Sequence, residues 1–201
     1  AEPFEVEGDP QGVANAQAAA IDAEYDADRL KRLIANDGNA ETPADARAAR
    51  SFGAEGIGLA AARHYKSIGM QVCIADIDPA LLEQAGAELG EILAVVTDVA
   101  DLAQVANLKA RAYERFGRVD VLMNNAGAPA PRGRIEELPM DGLDMAMGVH
   151  VRGALAHIKH AAPSMRAAGA GSIINVGSIA GHRAGYTSSV IYAIAKAAVI
   201  H

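Results

Sequence analysis

Residues 71–96 begin with Gln71-Val-Cys-Ile-Ala-Asp76, end with Glu91-Ile-Leu-Ala-Val-Val96, and carry Asp78 and Pro79 between these two apolar stretches. Aspartate is a preferred N-cap and proline is favoured in the first helical turn, so residues 79–89 are predicted to form a helix between two strands. Strands that are apolar throughout and are joined by helices indicate a parallel sheet covered on both faces. The sequence therefore predicts an α/β fold.

The alternation of strand and helix extends over most of the remaining chain. Further helices are predicted at residues 56–68, 101–116 and 136–165 and from about residue 189 onward, and further strands at 118–123 and 171–176. In open parallel sheets, ligands bind outside the carboxyl ends of the strands. Functional residues are therefore expected directly after each strand.

Composition and charge argue against several classes of protein. The 201 residues suffice for one domain with an appendage, and 51% hydrophobic residues exclude a chain that is disordered overall. The net charge is −7 with scattered Lys and Arg residues, so neither a nucleic acid nor a membrane is expected as a partner. No apolar run approaches the roughly 20 residues that span a bilayer. The single cysteine, Cys73, fits a cytoplasmic protein, and no His or Cys spacing indicates a metal site.

The first quarter of the chain differs from the rest. Residues 1–50 carry eleven acidic against five basic residues, a net charge of −6, whereas residues 51–201 have a net charge of −1. We expect residues 1–50 to form an acidic appendage that is partly helical, over about residues 13–36, or disordered. Residues 51–201 carry the strand and helix pattern and are expected to form a separate α/β domain.

A glycine-rich stretch, Gly56-Ile-Gly58-Leu-Ala-Ala61, opens the first predicted helix. Glycines let a backbone approach a pyrophosphate, and the helix that follows offers free N–H groups and its positive dipole end. Asp76 lies eighteen residues after Gly58, at the end of the next strand, where a carboxylate accepts hydrogen bonds from a ribose and repels a 2′-phosphate. The alternative is that the glycines only aid packing and that Asp76 caps the next helix.

A second group of residues follows the last predicted strand. Tyr192 and Lys196 lie four residues apart, which places them on one face of a helix, and Ser178 precedes Tyr192 by fourteen residues. A cation beside a phenol lowers its pKa, so that Tyr192 becomes a usable proton carrier. Ser178 is suited to hold a carbonyl oxygen against the phenol. Taken alone, the pair also fits an amphipathic helix with an incidental Tyr and Lys.

Together, these motifs resemble the short-chain dehydrogenase/reductase family. The matching elements, in order, are Gly56-Ile-Gly58, Asp76, Asp98-Val99, Asn124-Asn-Ala-Gly127, Gly171-Ser-Ile-Ile-Asn-Val-Gly-Ser178 and Tyr192-x-x-x-Lys196. The resemblance covers about residues 51–201 and implies that they form a partial dinucleotide-binding domain. It implies a Rossmann-like, doubly wound parallel sheet, which is incomplete here because neither the central first strand nor the last strands are evident.

The resemblance also implies roles for individual residues. Tyr192 is expected to act as general acid and base, Lys196 to bind the nicotinamide ribose, and Ser178 to orient the substrate oxygen. The residues expected to bind the cofactor, NAD, are Gly53, Gly56, Ile57, Gly58, Asp76, Asp98, Val99, Asn125, Ala126, Gly127, Tyr192 and Lys196. His150 stands where the family has an asparagine that completes a proton relay to the lysine, and imidazole can also hold a water.

Three further features depart from the family. Phe52 occupies the position of the first glycine in the family pattern Thr-Gly-x-x-x-Gly-x-Gly. Gly53 can take the place of that glycine only if the loop is one residue shorter. Asp45-Ala-Arg-Ala-Ala-Arg50 stands where a buried central strand is expected, and burying its arginines unpaired is costly. The sheet is then expected to be cut in half. The chain stops at His201, directly after the tyrosine motif. We expect truncation, a shifted reading frame or an artificial boundary to account for these features.

The leading functional prediction is an NAD(H)-dependent oxidoreductase that interconverts a secondary alcohol and a ketone. The alternative is an inactive fragment or pseudoenzyme with a residual nucleotide-binding or protein-interaction role, which Phe52 and the missing strand favour. A third possibility is a purely helical structural protein. It would require the apolar stretches that are predicted to be strands to form helices instead. The expected partners are a small alcohol or ketone substrate and further copies of the chain, in a dimer or tetramer.

Overall fold

The computed structural model describes residues 53–183 and 187–201. The predictions for residues 1–50 lie outside this range. The helices within it are α1 (Gly56–Ser67), α2 (Pro79–Leu89), α3 (Leu102–Phe116), α4 (Met140–Ala146), α5 (Ala154–Ala168) and α6 (Val190–Ile200). The strands are β1 (Cys73–Asp76), β2 (Leu93–Val96), β3 (Val121–Asn124) and β4 (Ser172–Asn175). Two 3-10 turns (Ile135–Glu137 and Ile179–Gly181) and a π-helical segment (Met147–Gly153) complete the described elements.

Strands β1 and β2 form a parallel pair whose register runs from Cys73 opposite Leu93 to Asp76 opposite Val96. Helix α2 connects them and contacts both strands. It begins as its sequence predicts, because the Asp78 side chain accepts a hydrogen bond from Ala80 N at 2.8 Å. A buried apolar cluster joins this pair to helices α1 and α2 and consists of Ala54, Ala62, Val72, Ile74, Leu82 and Ala85.

Strands β3 and β4 form a second parallel pair, which ends with Asn124 opposite Asn175. Helix α5 contacts both strands and also packs on α3. The α3–α5 contact includes a hydrogen bond between the Tyr113 hydroxyl and Ser164 Oγ. Each pair of strands is thus held by the helices that connect it in sequence.

The two pairs of strands do not join. Among the residues that the structure describes, β1 pairs with β2 alone and β3 pairs with β4 alone. The expectation of an incomplete parallel α/β sheet that is divided in two is therefore confirmed within this range. The predicted strands each begin within three residues of the observed ones.

The long helix predicted at residues 136–165 is wrong in detail. A 3-10 turn precedes α4, and the π-helical segment separates α4 from α5, which extends to Ala168. Periodicity does not distinguish a π turn from an α turn over seven residues, so the segment was not predictable from it. The segment ends at Gly153, where an added Cβ would lie 2.7 Å from Val99 O, so this segment closely approaches the loop after β2. The same segment carries His150, whose position is therefore set relative to this loop.

None of the helices in residues 53–183 and 187–201 combines the length and the apolar character needed to cross a bilayer.

Candidate active site

The loop before α1 is tied to the end of β1. The buried Asp76 carboxylate accepts hydrogen bonds through Oδ2 from Gly53 N at 3.0 Å and Ala54 N at 2.9 Å. Its Oδ1 accepts a third from Asp78 N at 3.0 Å. Charge-assisted hydrogen bonds of this kind are about twice as strong as neutral ones. Asp76 thus holds the loop in place, a task that its position in the sequence did not reveal.

Helix α1 offers an open amino terminus. It begins at Gly56, whose φ of +54° is strained for residues other than glycine, and the Glu55 side chain makes no capping hydrogen bond. The N–H groups of the first helical turn and the helix dipole favour an anion at such a position. Gly56, Ile57 and Gly58 therefore lie at a place suited to a phosphate group.

A cleft opens at the carboxyl ends of β1, β2 and β3. Its lining includes six of the residues expected to bind the cofactor, namely Gly53, Asp76, Asp98, Val99, Ala126 and Gly127. It also includes Thr97, Ala100 and Ala128, which the sequence analysis missed although they directly follow a strand or motif residues, and Val149, which precedes His150. Asn125 and Gly58 instead line a separate cavity between the two pairs of strands.

The loop after β2 is stabilised from within. Asp98 Oδ1 accepts from Ala100 N at 2.9 Å, and Asp98 N donates to Gln104 Oε1 at 2.8 Å. Asp101 caps α3 by accepting from Ala103 N at 2.8 Å. These bonds fix the cleft wall formed by Asp98 and Val99.

Helix α6 carries Tyr192 and Lys196, as their spacing predicts. The Lys196 ammonium lies 5.8 Å from the centre of the Tyr192 ring and donates a hydrogen bond to Val176 O at 2.7 Å. Burial lowers the pKa of Lys196 from 10.5 to about 8. The cation beside the phenol is thus held by the carbonyl that directly follows β4.

Ser178 follows β4 and starts the turn that packs against α6. Its Oγ accepts from Ala180 N at 3.2 Å. An added Cβ at Gly181 would lie 2.6 Å from the carbonyl carbon of Lys196, so the turn and the helix are in close contact. The structure thereby places the segment that carries Ser178 against the helix that carries Tyr192 and Lys196.

Ser189 anchors the beginning of α6 and was not singled out from the sequence. Its buried Oγ accepts from Tyr192 N at 3.2 Å and donates to Pro131 O at 2.7 Å. A serine before an apolar helical run is the usual signature of an N-cap, so the signal was available. Ser189 fixes Tyr192 relative to the loop after β3.

His150 lies between the cleft wall and Tyr192. Its ring is edge-on to the Tyr192 ring at 5.5 Å between centres, and its Nε2 lies 3.2 Å from Ala128 N and 3.0 Å from Ala128 O. Burial, followed by the nearby Lys196 charge, lowers the pKa of His150 from 6.5 to about 4, although a hydrogen bond with Ala128 opposes the shift. The ring is therefore neutral at pH 7, and its buried Nδ1 has no hydrogen-bond partner among the described residues.

Comparison with known proteins agrees with this geometry. The short chain dehydrogenase family model matches residues 52–201. Short-chain dehydrogenase reductase 5 of Arabidopsis thaliana is 41% identical over 125 residues, which cover 61% of this chain and 48% of the relative. The crystal structure of levodione reductase superposes with a TM-score of 0.70 at 31% identity, covering 74% of this chain and 59% of that one. NAD+-bound xylitol dehydrogenase gives a TM-score of 0.69 at 29% identity, covering 74% and 58%.

The chain spans about half of the Arabidopsis relative and about three fifths of the two solved structures. The match begins one residue before the described range and extends to the final residue. It thus includes the glycine loop, the cleft, and helix α6 with Tyr192 and Lys196. This chain belongs to the short-chain dehydrogenase family.

Proposed function

We propose that this chain is the cofactor-binding and catalytic part of an NAD(H)-dependent oxidoreductase that interconverts a secondary alcohol and a ketone. The proposal rests mainly on His150, which contacts Ala128 in the wall of the cleft and the ring of Tyr192. This contact supports the assignment of the cleft and the tyrosine–lysine pair to one site. The names of the levodione reductase and xylitol dehydrogenase structures support oxidation or reduction as the reaction class.

The residues of the cleft fit a dinucleotide. The uncapped first turn of α1 suits the pyrophosphate, and Asp98, Val99, Ala126 and Gly127 suit the adenosine half. Asp76 lines the same cleft with a negative charge, which favours NAD over a cofactor with a 2′-phosphate. A bound nicotinamide would supply hydride transfer.

The chain's own residues transfer the proton and bind the substrate oxygen. In the oxidation direction Tyr192 takes the proton of the alcohol hydroxyl, and in the reduction direction it returns a proton to the ketone oxygen. The positive charge of Lys196 stabilises the phenolate, the form that accepts the proton in oxidation and that remains after the proton is donated in reduction. Ser178 donates a hydrogen bond to the substrate oxygen and keeps it near the phenol. Ser189 holds Tyr192 in position through the helix cap.

The direct test is turnover by the purified chain. A panel of secondary alcohols with NAD, and of the matching ketones with NADH, is followed through NADH absorbance. The proposal predicts turnover that Tyr192→Phe abolishes and that Tyr113→Phe retains, because Tyr113 bonds to Ser164 between helices rather than in the cleft. Turnover that survives Tyr192→Phe would overturn the assigned proton role.

A second candidate function is supported by the division of the sheet. If the two strand pairs remain unjoined in solution, the chain is an inactive fragment or pseudoenzyme that retains nucleotide binding or binds a protein. This candidate predicts no turnover with any substrate. If the fragment retains nucleotide binding, Tyr192→Phe leaves NADH binding unchanged; if it only binds a protein, no saturable NADH binding is expected.

Self-association in a cytoplasmic dimer or tetramer is also part of the proposal. Leu155 on α5 is an apolar side chain that is 63% exposed, and an assembly through this helix would cover it. Light scattering at increasing protein concentration tests it, and Leu155→Glu is expected to shift the mass toward the monomer. A concentration-independent monomer would contradict it.

A further inference from the structure

The Asp76 carboxylate lines the cleft, yet its oxygens already serve the chain's own backbone. Oδ2 accepts from Gly53 N and Ala54 N, and Oδ1 accepts from Asp78 N. A carboxylate offers about four acceptor positions, so at least three of them are taken. Asp76 is also only 5% exposed. In this closed form the carboxylate has little capacity to accept a hydrogen bond from a ligand in the cleft.

The two carboxylate oxygens differ in what they hold. The contact of Oδ1 is local, because Asp78 lies two residues after Asp76, caps α2 and does not line the cleft. The contacts of Oδ2 reach the glycine loop, 22 and 23 residues earlier in the chain. Gly53 lines the cleft together with Asp76. A ligand in the cleft therefore meets the Oδ2 contacts and leaves the turn before α2 intact.

Of the two loop residues that Oδ2 holds, Ala54 is fixed and Gly53 is not. Ala54 is 2% exposed and packs in the apolar cluster with Ala62 and Val72. Gly53 is only half-buried and has no side chain to anchor it. Its backbone lies against the end of β1, where an added Cβ would be 1.9 Å from Ala75 O. The link between loop and carboxylate is therefore expected to open at Gly53 while the Ala54 bond persists.

We propose that the hydrogen bond from Gly53 N–H to Asp76 Oδ2 is a latch that closes the cofactor cleft, and that a hydroxyl of the adenosine ribose opens it by inserting between the two groups. The latch rests on the proposed function, since the ribose belongs to the cofactor. A hydroxyl both donates and accepts, so it can donate to Oδ2 and accept from Gly53 N–H. Neither group is then left without a partner, which would be costly.

The insertion requires a small movement of the loop. Two successive hydrogen bonds of about 2.8 Å that meet at a tetrahedral oxygen span roughly 4.5 Å, whereas Gly53 N now lies 3.0 Å from Oδ2. Gly53 therefore withdraws by about 1.5 Å from the carboxylate when the latch opens. Its withdrawal also uncovers the buried Asp76 side chain toward the cleft.

The latch sets a chemical requirement for the ligand. Only a group that brings its own proton can take the place of the Gly53 N–H on Oδ2. A ribose hydroxyl meets this requirement, whereas a largely ionised 2′-phosphate brings acceptor oxygens and negative charge. The preference for NADH over NADPH then has two sources, which are the repulsion between charges and the lack of a donor. An uncharged ribose without hydroxyl groups separates them, because it lacks the donor but is not repelled.

The test observes the hydrogen bonds themselves in the full 201-residue chain. NMR measures the scalar coupling across each bond, between the amide nitrogen and the Asp76 carboxyl carbon. Without ligand, couplings are expected from Gly53, Ala54 and Asp78. At saturation with NADH, the Gly53 coupling is expected to disappear while those of Ala54 and Asp78 remain. The two retained couplings are internal controls, and no substitution that could unfold the chain is needed.

A matched pair of ligands tests the role of the hydroxyl. AMP and 2′,3′-dideoxy-AMP share the base and the phosphate and differ only in the ribose hydroxyl groups. AMP is expected to abolish the Gly53 coupling at saturation. Dideoxy-AMP is expected to bind about tenfold more weakly and to leave the coupling in place.

Three results would overturn the latch. The first is the absence of the Gly53 coupling in the ligand-free chain. The second is its retention in a chain saturated with NADH, which would leave the proposed oxidoreductase function standing. The third is its equal loss with AMP and dideoxy-AMP, which would exclude the hydroxyl as the opening group. A chain that binds no NADH at all would overturn both the latch and the proposed function, so the binding curve distinguishes the two failures.

Discussion

Asp76 holds Gly53 across 23 residues of chain, through a hydrogen bond of 3.0 Å from the Gly53 N–H to Oδ2. The same oxygen accepts from Ala54 N, and the other accepts from Asp78 N. The glycine loop and the end of β1 therefore form one unit. A single carboxylate both fixes the loop and borders the cleft proposed for the cofactor.

The first prediction concerns the strength of this link. Asp76→Asn keeps the shape but replaces one acceptor oxygen with a donor, so at least one backbone N–H loses its partner. We expect the free energy of unfolding to fall by about 1–3 kcal/mol, measured by urea denaturation. Asp78→Asn is the matched control, because asparagine caps α2 as well as aspartate does. Equal losses in the two variants would contradict the role of Asp76.

The second prediction concerns Lys196. Its pKa is lowered from 10.5 to about 8 by burial, so between these values the unfolded chain holds a proton that the native chain has lost. Stability therefore rises with pH across this window, by on the order of 3 kcal/mol in total. Lys196→Met removes this contribution, whereas Lys159→Met on the exposed face of α5 retains it. The comparison is made by urea unfolding at pH 7.5, 8.5 and 9.5, and identical slopes for wild type and Lys196→Met would refute it.

The third prediction concerns His150. Burial first, and Lys196 second, lower its pKa to about 4, so at pH values between about 4 and 6.5 the unfolded chain binds a proton that the native chain does not. The contribution is present above pH 6.5 and is lost as the pH falls toward 4. His150→Asn should therefore lose less stability than wild type between pH 7 and pH 5, while the exposed His182→Asn should behave like wild type. An NMR titration of the His150 ring with a midpoint near 6.5 would disprove the shift.

The fourth prediction concerns Ser189. Ser189→Ala removes both the cap on Tyr192 N and the bond to Pro131 O, so we expect a loss of about 1–2 kcal/mol in the free energy of unfolding. Because Ser189 positions Tyr192, kcat should fall while NADH affinity is retained. Ser188→Ala changes the exposed neighbour and serves as the control. A fall in NADH affinity equal to the fall in kcat would contradict the positioning role.

Local signals in the sequence predicted much of the fold. Asp78 starts α2 as the predicted N-cap, α3 begins one residue after its predicted start at residue 101, the four apolar runs form strands, and the charged residues 45–50 predicted a divided sheet. The π-helical segment was not predicted, because over only seven residues the side-chain periodicity of a π-helix cannot be distinguished from that of an α-helix.

The candidate site was predictable where spacing within one element sets the geometry. The four-residue interval between Tyr192 and Lys196 predicted that both lie on one face of the same helix, and the structure places both on α6. The hydrogen bonds from Asp76 to Gly53 and from Lys196 to Val176 O join distant segments, and such long-range contacts leave no local pattern in a single sequence.

The most direct test of the proposed function is a titration of the purified 201-residue chain with NADH and, in parallel, NADPH, followed by fluorescence and by the unfolding temperature. We expect saturable NADH binding, a raised unfolding temperature, and weaker NADPH binding because the Asp76 carboxylate borders the cleft. No saturation with either cofactor and an unchanged unfolding temperature would contradict the proposal that this chain binds a nicotinamide dinucleotide.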